Sequence, residues 1–334
     1  MSRRLTVVCT MVLFAVVTSD SGCSSVSNPP MTPRSGTAGI REIPRSIGFW
    51  TAKAPMPTAR GNLAVGVVNG ILYAVGGNDG HGGYLNTVEA YDPATNTWTT
   101  RAPMHVARSD LGVGVINGML YAVGGDEWNG TVEAYDPSTD TWAYKASMPK
   151  GLSDFGIGTI NNILYVAGGL GYRPTGPFLK YEVEAYNPAT DTWTKKAGLP
   201  KARFGLAAGV VNGELYAVGG FHYDYPFLDW VDAYNPATNT WAARADMPTP
   251  RSYLAAGVIN GMIYAAGGWG FALGQTTLNT VEAYDPATDT WATEAPMPTR
   301  RYLVAGAVAG RKFYAVGGWN ANKVVNAVEV FDPR

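Results

Sequence analysis

The chain has 334 residues, a formal net charge of −1, 41 glycines and only 15% charged residues. That balance argues against a general nucleic-acid binder and against a polybasic membrane surface. Its two cysteines, Cys9 and Cys23, both lie in the first 23 residues, so the remainder has neither structural disulfides nor thiolate metal sites.

In chain order, Arg3-Arg4 precede an apolar run from Leu5 to Thr18. At 14 residues the run is too short to span a bilayer comfortably and reads as the apolar stretch of a signal peptide over 1–23. Ser21-Gly22-Cys23 resembles a bacterial lipobox, which makes Cys23 the candidate lipidation site. Asp20 stands where the lipobox carries an aliphatic residue, and ordinary cleavage with secretion is the alternative. Residues 24–46, rich in Ser, Pro and Gly, read as a flexible tether. An exported protein is expected, touching a membrane only through an N-terminal lipid.

The segment 47–334 holds six near-copies of one pattern: N-G-x-L/I-Y-A-x-G-G, a loop, V-E-A-Y-D-P-A-T-D/N-T-W, then P-M-P-x-x-R. Gly-Gly recurs at 76–77, 124–125, 168–169, 219–220, 267–268 and 317–318, at intervals of 48, 44, 51, 48 and 50 residues. In the second copy Leu111–Ile116 alternates apolar residues with glycine, which suits a short strand packed close to other backbone. Asn117-Gly118 is a two-residue hairpin turn. Met119–Val123 is the returning strand, Thr131–Asp136 the third, and Thr141-Trp142 opens the fourth. Asp136-Pro137 turns the chain between the last two, because proline has no N–H to give a ladder.

Four short antiparallel strands make one twisted blade, and a lone blade cannot cover its own faces. Radial stacking buries Tyr91, Tyr135, Tyr186, Tyr234, Tyr284 and Phe331 with Trp98, Trp142, Trp193, Trp241 and Trp291 between neighbours. The last copy stops at Asp332-Pro333-Arg334, and a spare tryptophan strand, Phe49-Trp50-Thr51-Ala52, stands at the front. Residues 48–54 are therefore expected to complete the blade whose other strands span 302–333 and so remove an exposed edge.

The Gly-Gly, Tyr-Asp-Pro and Trp spacings resemble the kelch-repeat family over residues 48–334. The resemblance implies an all-β, six-bladed propeller acting as a monomer. It also implies that the loops after Gly-Gly, with the segment leading into each first strand, shape one mouth of a central channel. Those loops differ most between copies and carry Trp128, Tyr172, His222, Tyr223, Trp269 and Trp319, the usual makings of a recognition surface. A second candidate is a ring of arginines, Arg60, Arg108, Arg203, Arg251 and Arg301, with Leu152 at that place in the third copy. Turned to the mouth, five guanidiniums would favour carboxylates; turned inward, they would bond loop carbonyls and nearby carboxylates.

His81, His105 and His222 are scattered over three blades without metal-ligand spacing, and no cofactor or metal is implied. The expected function is an exported binding module for a protein segment or a glycan, with an acidic ligand as the secondary expectation. The alternative is an acidic-sugar mutarotase resembling N-acetylneuraminate epimerase, with Asp224, Glu127 or His222 as formal acid/base candidates.

Overall fold

The computed structural model describes residues 48–126, 129–173, 176–271 and 275–334. The leader, the tether, Cys23, Glu127 and Trp128 lie outside the described residues. Every assigned element is a strand, and six four-stranded antiparallel sheets repeat one plan. The first blade runs Ala64–Val68, Ile71–Val75, Val88–Asp92 and Thr97–Arg101, from the inside outward. The six innermost strands neighbour one another in sequence, and the sixth, Ala305–Ala309, returns to the first, Ala64–Val68.

The hairpin turns take the left-handed backbone that two-residue loops demand. Asn117 and Gly118 have φ of 50° and 78°, and Asn69 and Gly70 have 49° and 81°. The glycines of the inner strands answer to close packing. A Cβ on Gly66 would sit 2.4 Å from a Leu120 methyl of the next blade.

The core lies between blades. Each of the six apolar clusters draws on two adjacent sheets, as where Leu72 and Tyr91 meet Tyr314 and Val330. Tyrosine and tryptophan stand opposite each other on the third and fourth strands, Tyr91 against Trp98, with ring centroids 5.1 Å apart. The tryptophan also binds the preceding blade: Trp98 Nε1 donates to the Ala54 carbonyl at 2.9 Å. Asn96, at φ 57°, accepts from both the Ala54 N–H and the Tyr91 hydroxyl. Trp142, Trp193, Trp241 and Trp291 repeat the bond on Ala102, Ala146, Ala197 and Ala245. Aromatic burial and a directed inter-blade bond thus coincide at one residue.

The sixth blade is composite. Phe49–Ala52 pairs antiparallel with Asp332 through Glu329, placing Trp50 opposite Phe331 as the other tryptophans stand opposite tyrosines. Trp50 Nε1 donates to the Ala295 carbonyl at 2.8 Å. Phe331 has no hydroxyl and so needs no acceptor in this fully buried place.

Three of the loops after Gly-Gly form hairpins of their own. Leu170–Arg173 pairs with Gly176–Leu179, Trp269–Phe271 with Gln275–Thr277, and Trp319–Asn320 with Lys323–Val324. Two of them also capture the segment leading into the inner strand, through Leu152–Ser153 and Arg251–Ser252. The variable loops are therefore tied to the segments that form the mouth.

Candidate functional site

The arginines turn inward. Arg60, Arg108, Arg203, Arg251 and Arg301 have no exposed surface. Arg60 donates to the carbonyls of Gly76, Thr87 and Ala74 and to Glu89, and Arg301 makes the corresponding bonds to Gly317, Ala327, Ala315 and Glu329. Arg108 and Arg251 repeat this with Glu133 and Glu282, and Arg203 pairs with Asp232 at 2.7 Å. The expectation of five guanidiniums offered to a ligand is corrected. Each is spent on carbonyls that a neighbouring double glycine and strand end would otherwise leave buried and unpaired. Burial pulls the Arg251 guanidinium down to about 10, against Glu282, which holds it up. In the third copy Leu152 replaces the arginine, and Glu184 keeps one buried carboxylate oxygen without a hydrogen bond. Burial raises the Glu184 carboxyl, and Lys180 opposes the rise.

The mouth is formed two residues further on. Asn62, Asp110, Asp154, Gly205, Tyr253 and Leu303 all adopt left-handed backbone, with φ between 50° and 60°. Their main chains form a closed circuit in which each N–H donates to the carbonyl of the preceding copy. Asp110 gives to Asn62, Asp154 to Asp110, Gly205 to Asp154, Tyr253 to Gly205, Leu303 to Tyr253, and Asn62 to Leu303, at 2.7–3.1 Å. These residues, with the apolar residue following each, line a cavity of about 140 Å³. A void of roughly 150 Å³ is the size that admits one six-membered ring.

The side chains around the ring divide the mouth in two. On one side a polar chain crosses four blades. Trp319 Nε1 donates to Asn62 Oδ1 at 3.0 Å, and Asn62 Nδ2 donates to Asp110. Ser109 and Ser153 give their hydroxyls to Asp110 and Asp154, and Ser153 also meets the Tyr172 hydroxyl at 2.9 Å. Asp110 and Asp154 interact directly. Burial pushes the Asp154 carboxyl well above the ordinary carboxylate range, the Asp110 charge pushes it further, and the Ser153 hydroxyl opposes. Two carboxyls so placed share a proton rather than both ionise.

On the other side an aromatic arc runs through the fourth, fifth and sixth copies. Phe204 touches Tyr223 and Tyr253, each at 6.0 Å between centroids. Phe221 leads to Phe227 at 5.7 Å, Phe227 to Trp269 at 5.3 Å, Trp269 to Tyr302 at 6.1 Å and Tyr302 to Trp319 at 6.4 Å. Tyr223 is 56% exposed and Phe271, packed on Phe227, 52%. Partial burial, then the Asp154 charge, raises the Tyr223 hydroxyl above its ordinary value.

Of the residues singled out in the sequence, Tyr172, Tyr223, Trp269 and Trp319 come together around this mouth. His222 lies against Tyr225 further out on the same loop, with Asp224 3.7 Å away. His105 is engaged elsewhere, bonded to Glu133 at 2.7 Å and stacked on Tyr144. Among the described residues no cluster of His, Cys, Asp and Glu could hold a metal ion, and no helix is long and apolar enough to cross a membrane. The ring residues Asn62, Asp110, Asp154 and Tyr253 were not among the selected loop residues. Their signal was present: the second residue after the arginine position is Asn, Asp, Asp, Gly, Tyr and Leu in the six copies, while the residue after it stays apolar.

The KLHDC2/KLHL20/DRC7 Kelch-repeats domain family matches residues 155–334, and the Kelch motif matches 59–105 and 107–149. The solved structure of YjhT is similar in fold, with a TM-score of 0.73 at 18% identity, covering 83% of this chain and 95% of that one. With its repeat period, its inward arginine clamps and its six radially packed sheets, the chain belongs to the kelch-repeat family.

Proposed function

We propose that this propeller is an exported binding module whose ligand, a glycan or a protein segment, sits in the mouth ringed by Asn62, Asp110, Asp154, Gly205, Tyr253 and Leu303. The observation that carries the reading is a cavity lined by Asn62, Asp110, Asp154 and Tyr253 and adjoined by an aromatic arc, which reaches it through Phe204 against Tyr253 and Trp319 against Asn62, on a ring that is otherwise uniform. A scaffold alone has no use for two carboxyls in contact, which disfavour each other's charge. It has as little use for Tyr253 and Leu303 at positive φ, a conformation costing about 1–2 kcal/mol in a side chain of that kind. Such costs concentrate at functional sites.

The acidic-ligand expectation and the acidic-sugar mutarotase both drew on the arginines, which are withdrawn from solvent. Among the described residues, the charged ones lining the cavity are the two aspartates. Probing glycan and peptide arrays with the mature protein and with Tyr223→Ala and Tyr253→Ala tests the module. Hits are expected to fade in both variants, and hits that survive both overturn the mouth as the site. N-acetylneuraminic acid anomers are expected to interconvert in its presence at the buffer rate.

A further inference from the structure

Resting on the mouth as the ligand site, we propose that the ligand is a saccharide bearing hydroxyl or amine donors and no carboxylate, bound by one ring in the cavity. Three features select this class. The first is the closed main-chain circuit. All six residues bond N–H and C=O to one another, so these six offer an extended peptide little backbone to pair with, and recognition by the ring falls to side chains. The second is size and shape. The cavity of about 140 Å³ is the size of a single ring and is lined by Tyr253, and the aromatic arc joined to Tyr253 through Phe204 carries Tyr223, more than half exposed. An exposed aromatic patch beside a polar cavity matches a sugar ring, whose C–H face is apolar while its edge is polar.

The third is charge. Ionised carboxylates only accept hydrogen bonds, and a shared proton leaves most of their oxygen lone pairs as acceptors. Asp110 and Asp154, already accepting from Asn62, Ser109 and Ser153, therefore favour donors over acceptors on the ligand edge. A uronate or sialate carboxylate would meet like charge here, and among the described residues no cation lines the cavity to compensate it. An amine on the sugar would gain a charge-assisted bond to the same pair.

The test is a glycan array carrying neutral, aminated and uronic-acid oligosaccharides beside an array of peptides. Calorimetry then follows on the strongest hit with Trp269→Ala, Asp154→Asn and Tyr223→Ala. Hits among neutral or aminated glycans are expected, with affinity falling at least tenfold in Trp269→Ala and Asp154→Asn. Tyr223→Ala, at an exposed residue, keeps the fold and serves as the control variant should Trp269→Ala unfold; it too is expected to lose affinity. Hits confined to uronic-acid glycans or peptides, yet lost in these variants, overturn the saccharide class while leaving the mouth as the site. Hits indifferent to all three variants overturn the mouth itself. No glycan hit at millimolar concentration overturns the inference.

Discussion

Replacing Arg251 by methionine separates a structural clamp from a ligand-reading group. Arg251 is fully buried and donates to the Thr280 carbonyl at 3.0 Å, the Ala265 carbonyl at 3.1 Å and Glu282 at 2.9 Å. Methionine fills much of the same volume but leaves Glu282, 2% exposed, with the Thr249 hydroxyl and no cation. Breaking a buried pair by removing one partner costs about 3–5 kcal/mol, most of it the uncompensated charge. At roughly 2 °C per kcal/mol for a domain of this size, the melting temperature is expected to fall by about 8 °C. Adding Glu282→Leu removes the orphaned carboxylate, and the double variant is expected to recover more than half of the loss. Calorimetric melting of wild type, Arg251→Met and the double variant in one buffer measures both terms. A shift below about 2 °C for Arg251→Met would refute the clamp and return the guanidinium to the mouth's account.

Asp154→Asn is expected to stabilise the fold at neutral pH. The folded state holds the Asp154 proton more tightly than the unfolded chain does, so this stabilisation is complete below about pH 4 and is lost as pH rises through the folded-state value. Each unit of that elevation is worth about 1.4 kcal/mol, and asparagine accepts the same left-handed backbone. Parallel stability–pH curves for wild type and variant would sink the shared-proton account. Deleting residues 46–54 removes the strand paired with Glu329–Asp332 and the Trp50 bond to Ala295, and is expected to lower the melting temperature sharply. An unchanged melting temperature would contradict closure by that strand. Mass spectrometry of the protein recovered from cells should find an N-terminus at or near Cys23, with diacylglycerol on it if the lipobox operates despite Asp20; retention of residues 1–20 would refute export by this leader.

The repeat made the blades legible because every term of the fold recurs in it. Asn-Gly fixes the hairpin, alternation fixes the buried face, and Tyr and Trp fix the inter-blade packing. The roles of individual consensus residues were harder to read. Arg60 and its counterparts could bond inward or outward, and the choice depends on where the Gly76 and Thr87 carbonyls point after the double glycine, which spacing does not reveal. The segment entering each first strand was legible as part of the mouth, whereas the roles of its residues were not: Asp110 and Asp154 sit in short steps of constant length where only residue identity changes. Their contact across blades joins positions 44 residues apart and follows from the ring's curvature.

The main-chain circuit at the mouth runs in one rotational sense, so the six N–H···O dipoles are arranged head to tail around a closed loop. Their components in the plane of such a loop cancel. The backbone there contributes shape and little field, and the mouth's electrostatic character is written by side chains alone. Six residues thus act as an interchangeable set of letters on a fixed dial. Glycine, asparagine and aspartate enter most easily because they tolerate the left-handed conformation, and bulkier letters such as Tyr253 and Leu303 enter at a cost. Recognition on this ring can be rewritten letter by letter, because the circuit that closes the dial is made by the main chain.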